Sequence, residues 1–120
     1  MTRTDPLMPP CGPERDRLVA EAVGWKFVTL GTDSWCSPGV MGRVFRPSQS
    51  DADALAALEA WAEKGARWYT HNRWPSGRHE VTLYPVGRIN EVGAYQVEAP
   101  TLRDAATAAL VRWRNERSQS

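Results

Sequence analysis

The chain has 120 residues, with 15 Lys+Arg against 14 Asp+Glu and a formal net charge of +1. With 42% hydrophobic and 24% charged residues it reads as one ordinary globular domain and not as a disordered chain. The near-neutral balance argues against wholesale binding of duplex DNA, and no apolar stretch approaches the length needed to cross a bilayer.

Residues 1–12 are Pro-rich and polar without periodicity, the composition of a disordered tail. They contain no secretory signal, so the expected location is the cytoplasm, with Cys11 and Cys36 read as free thiols and a Cys11–Cys36 disulfide as the alternative. A single domain is expected over 13–115. Pro13 suits the first position of a helix, Leu18, Val19, Ala22 and Val23 recur at helical spacing, and Gly24 supplies the left-handed cap. Aromatic and β-branched residues at 25–29 predict a strand. Residues 31–42, rich in Gly, Pro and Ser around Trp35, read as a long loop, followed by a short strand or anchor at Val44-Phe45.

Ser50 is a good N-cap for a second helix, with Asp53 three residues on, a buried stripe of Ala54, Leu55, Leu58, Trp61 and Ala62, and a stop at Gly65. Three strands are predicted next, at 66–72, 78–84 and 94–98. A hairpin turn at 74–77 joins the first two. Val81 and Leu83 alternate with polar neighbours, and Tyr95 and Val97 share one face. Thr101 caps an alanine-rich last helix whose apolar face includes Leu102, Ala105, Ala106, Ala109, Leu110 and Trp113, and 116–120 are expected to fray. The order predicts an α/β (α+β) fold: a small, mostly antiparallel sheet packed with three helices as an α/β/α sandwich.

Four segments resemble the phage ABA sandwich domain family. Residues 16–25 carry its Leu18-Val19-Ala20-Glu21 start and Gly24-Trp25 end. Residues 46–55 carry a Pro47-Ser48 approach to a helix, 95–99 look like its last strand, and 101–110 look like its alanine-rich closing helix. Residues 68–88, rich in Arg, His and Trp, depart from that pattern. The resemblance implies the same sandwich and a phage origin, and it carries over no catalytic residue.

No motif points to an enzyme. His71 and His79 can meet across the hairpin, with Asn72 or Glu80 nearby, but a third strong ligand for a metal is missing. Cys36, Ser34 and Ser37 have no signature pairing them with a histidine. Asp51, Asp53 and Asp104 have capping roles, and no Gly-rich phosphate loop occurs. No cofactor is expected.

The strongest functional signal is an interleave of arginine with aromatic residues. Guanidinium forks bind phosphate oxygens, and aromatic faces stack on bases. On a strand, Arg67, Tyr69, His71 and Arg73 share one face, expected to be exposed and basic, while Trp68, Thr70, Asn72 and Trp74 share the other, expected to be packed. With Arg78, Arg88, Trp74 and the loop residue Trp35, these predict a site for a small anionic, nucleotide-derived ligand. The expected function is a non-enzymatic sponge that sequesters such a ligand, by analogy with small phage proteins that do so, enclosed by a homo-oligomer. The alternatives are a module that binds a host protein and a binder of single-stranded RNA or DNA.

Overall fold

The computed structural model describes residues 8–30, 33–37, 43–44, 46–64, 67–85 and 95–118; the side chains of 26–45 and 117–118 lie outside this description. The elements in chain order are α1 (Pro13–Val23), β1 (Lys26–Leu30), β2 (Asp33–Ser37), β3 (Arg43–Val44), α2 (Asp51–Ala62), β4 (Trp68–Arg73), β5 (His79–Tyr84), β6 (Tyr95–Ala99) and α3 (Leu102–Ser118). The fold is α+β, with three helices and an antiparallel β4-β5-β6 sheet packed against them.

Local chemistry explains most boundaries. Pro13 opens α1, and Gly24 closes it at φ 77°, where Gly24 N–H donates to Glu21 O and Trp25 N–H to Ala20 O. Ser50 Oγ accepts the Asp53 N–H at the start of α2, and Thr101 Oγ1 accepts the Asp104 N–H at the start of α3, the caps expected from sequence.

Three expectations change. Residues 33–37, expected to be loop, form β2, which pairs with β1 (Val28↔Trp35) and with β3 (Trp35↔Val44) in a second antiparallel sheet lying against α1. Its Asp33, Ser34 and Ser37 have weak strand preference, which hides it from propensity. The last helix continues through Asn115, which is buried, to Ser118, past the expected fraying point. Part of the expected tail is fixed: Met8 packs against the core, and Gly12 N–H donates to Ser48 Oγ at 2.8 Å.

The core lies between the helices and one face of the β4-β5-β6 sheet. It unites Leu18, Val19 and Val23 of α1, Ala54, Ala57, Leu58 and Trp61 of α2, Val81 and Leu83 of β5, and Ala105, Ala106, Ala109, Leu110 and Val111 of α3. α3 packs against α1, α2, β5 and β6, and every residue from Ala105 to Val111 is buried. A helix surrounded in this way must be apolar or internally satisfied on all sides: buried Thr107 donates its hydroxyl to Arg103 O at 2.7 Å, and the alanines let neighbouring backbones come close.

A polar cluster ties the helix starts together. Arg15, 7% exposed, donates from Nη1 to Asp104 Oδ1 at 2.6 Å and from Nε to Pro9 O at 2.8 Å. Buried Asp16 accepts the Ser48 N–H at 2.7 Å and Gln49 Nε2 at 3.1 Å. Buried polar groups need such partners, and here each group has them.

Candidate functional site

The register of the β4–β5 hairpin decides what the protein shows to its surroundings. Tyr69 faces Leu83, His71 faces Val81, and Arg73 faces His79 across the ladder; β6 adds Tyr95, Val97 and Ala99 to the same side. Val81 and Leu83 are fully buried, so this odd-numbered side faces the helices. The other side carries Trp68, Thr70 and Asn72 of β4, Glu80, Thr82 and Tyr84 of β5, and Gln96 and Glu98 of β6.

This reverses the sidedness expected from the sequence. A plain four-residue turn at 74–77 would set Arg73 opposite Arg78 and place Trp68 and Thr70 on the core side. The structure has a different loop. Gly77 N–H donates to Trp74 O, Trp74 N–H donates to Arg78 O (both 2.8 Å), and Gly77 adopts φ 90°. That is a type I turn followed by a left-handed glycine, which adds one residue to the connection. A shift of one residue exchanges the two faces of a strand.

Arg67 and Tyr69 are consequently drawn inward. The Arg67 guanidinium carbon lies 4.6 Å from the Trp113 ring centroid and 5.4 Å from that of Trp61, and Nη1 donates to Trp61 O at 3.4 Å. Tyr69 packs against the core and donates its hydroxyl to Glu59 of α2. Burial and this carboxylate push the Tyr69 phenol up to about 12. His71 Nε2 and His79 Nδ1 lie 2.8 Å apart with the rings nearly parallel. Burial and the neighbouring His79 hold His71 below the ordinary histidine value, partly offset by Asp51.

The remaining expected site residues divide. Arg73 and Trp74 are exposed at the hairpin end, Trp74 at 45%. Arg78 is exposed and forms an ion pair with Glu98 of β6, Nε to Oε1 at 2.6 Å. Arg88 lies outside the described residues. Trp35 is in β2, on the other sheet, and its side chain lies outside the description. The structure therefore gathers Arg73, Trp74 and Arg78 at one hairpin end, turns Arg67 and Tyr69 into the helix layer, and forms no continuous cationic wall along Arg67–Arg73.

What the sequence did not single out is this even-numbered sheet face, open at Trp68 and Asn72 but closed at its centre, where Thr82 is 5% exposed. Trp68, 43% exposed, stacks on Tyr84 with ring centroids 3.9 Å apart and an interplanar angle of 9°. Beside this pair Glu80 accepts from Asn72 Nδ2 and from Gln96 Nε2. The alternation of Val81 and Leu83 carried the signal for Tyr84, but Trp68 could be assigned to this face only once the register was known. Among the described residues, no group of three or more His, Cys, Asp or Glu side chains is placed to hold a metal, and no helix is long and apolar enough to cross a membrane. Cys11 is an exposed free thiol.

No protein-family model matches the sequence, and neither does any curated protein.

Proposed function

We propose that this protein is a non-enzymatic binding domain that engages a protein partner through the even-numbered face of the β4-β5-β6 sheet. The observation that carries this reading is the Trp68–Tyr84 stack, a preassembled aromatic surface left 43% exposed at Trp68. Trp74, also exposed, lies six positions further along the chain, roughly 20 Å away at strand rise. Tryptophan anchors around a satisfied polar patch are the anatomy of an interaction hot spot. The charged groups named on this face have partners within it: Arg78 pairs with Glu98, and Glu80 accepts hydrogen bonds from two neutral side-chain amides. Such a face favours a protein over a polyanion. If the chain has the phage origin that its family resemblance implies, the partner is a host protein or a second copy of the chain.

The test is the Trp68→Glu variant. It should stay folded with a modestly lowered melting temperature, because Trp68 lies outside the core and gives up its stack on Tyr84, and it should lose a stoichiometric partner that the wild type captures from its native cells or by self-association. Equal capture by both proteins rejects the reading.

A second reading, sequestration of a small nucleotide-derived anion, draws on the clustering of Arg73, Trp74 and Arg78 at the hairpin end. Arg73, exposed next to the exposed Trp74 in the chain, would offer a phosphate contact and a stacking face, and Arg78, bonded to Glu98 on the opposite face, would join them only by leaving that ion pair. Its test is a melting screen with nucleotides and cyclic dinucleotides, in which binding raises the melting temperature. A rise abolished by Arg73→Ala with Arg78→Ala, and unaffected by Trp68→Glu, supports this reading against the first.

A further inference from the structure

We propose that His71 and His79 form a proton-operated latch that fixes the end of the β4–β5 hairpin when at least one ring is neutral and releases it when both are charged. The contact is diagonal across the ladder, because His71 is in register with Val81 and His79 with Arg73. The two facing nitrogens, His71 Nε2 and His79 Nδ1, are 2.8 Å apart, with ring centroids at 5.1 Å and an interplanar angle of 11°. At that separation one hydrogen lies between them, donated by one ring and accepted by the other. A first added proton goes to an outward nitrogen and makes the bond charge-assisted, hence stronger. A second leaves both facing nitrogens carrying hydrogen, and the bond is replaced by repulsion between two cations.

The surroundings set how readily this happens. Asp51 at the start of α2 faces His71 and favours its charged form. Asp51 is itself engaged by Arg103 of α3, through both the backbone N–H and Nη1. Arg73 of β4 stands opposite His79 in register, while Ala99, its partner on β6, is apolar. Arg78 and Glu80 flank His79 along β5, but they belong to the other face and bond there to Glu98, Asn72 and Gln96. Beyond the histidines the hairpin end is closed by the two backbone bonds between Trp74 and its partners Gly77 and Arg78. Releasing the latch therefore loosens the segment that carries Trp74.

The experiment is NMR of the full chain between about pH 8 and pH 4.5, spanning the ordinary histidine value of about 6.5. It follows the imidazole nitrogens of both rings and the exchange protection factors of the Trp74 and Gly77 amides. Two coupled steps separated by about one pH unit or more are expected. Protection at Trp74 and Gly77 should fall at least tenfold across the lower step, while the α3 amides keep theirs. In His71→Gln the remaining His79 should titrate in one step and the lower-pH loss of protection should vanish. Should His71→Gln unfold, His79→Gln offers the same comparison from the other ring. The proposal is overturned if each histidine titrates in the wild type as it does alone, or if protection at the hairpin end does not change across the lower step.

Discussion

Arg15 and Asp104, 89 positions apart in the chain, meet at 2.6 Å where the starts of α1 and α3 converge. The two ends of the bond differ in exposure: the Arg15 side chain is 8% exposed and that of Asp104 is 35% exposed. Removing either partner therefore has unequal effects. Asp104→Ala leaves a buried cation with only neutral acceptors and is expected to lower the unfolding free energy by about 3 kcal/mol. Arg15→Met leaves a carboxylate that water can reach and should cost clearly less. Urea unfolding checks this, with the midpoint falling further for Asp104→Ala and the slope unchanged.

Trp61 is fully buried, and its indole Nε1 has no hydrogen-bond partner among the described residues. Its ring meets Trp113 edge to face at 5.6 Å and lies beside the Arg67 guanidinium. Trp61→Phe gives up ring volume but also removes an unsatisfied donor, two effects of opposite sign. It should cost under about 2 kcal/mol, against about 3–5 kcal/mol for Trp61→Ala, as read by chemical denaturation.

Ala109 of α3 is 0% exposed, so a longer side chain there must be accommodated inside the core. Ala109→Leu adds apolar area yet is expected to destabilise by about 1–3 kcal/mol through overpacking, which chemical denaturation reads directly. Leu55 of α2 gives the contrast, because it stands 39% exposed; Leu55→Ala should change the melting temperature little.

Tyr69 supplies an alkaline limit. Its phenol is raised to about 12 in the folded protein, above the value of about 10 in an unfolded chain. The unfolded state therefore loses this proton first as pH rises. The associated stability is complete below about pH 10 and is lost between there and about pH 12. A spectroscopic titration of phenolate absorbance should show a late component that is absent in Tyr69→Phe, whose stability should fall less steeply over the same interval.

The helices were legible in the sequence because their signals are local. Pro13, Gly24, Ser50 and Thr101 mark boundaries through bonds made within a few residues. The inward direction of Val81 and Leu83 was legible for the same reason, since alternation along β5 needs no partner strand. The sidedness of β4 was not. It depends on one extra residue in the turn, set by Gly77 at φ 90°, and a basic, aromatic strand such as Trp68–Arg73 has no apolar alternation of its own to reveal the error. β2 escaped notice because backbone pairing with β1, more than its own residues, makes it a strand. The ion pair of Arg15 with Asp104 joins segments too distant for any spacing argument to connect.

The central position of α3 has a bearing on biosynthesis. α1, α2, β5 and β6 all rest on it, yet it follows every one of them in the chain. While a ribosome still holds this helix, the earlier segments have emerged without the surface that organises them. Folding must then wait until the helix emerges, and a nascent chain stalled before Leu102 should be cleaved by protease as readily as an unfolded one.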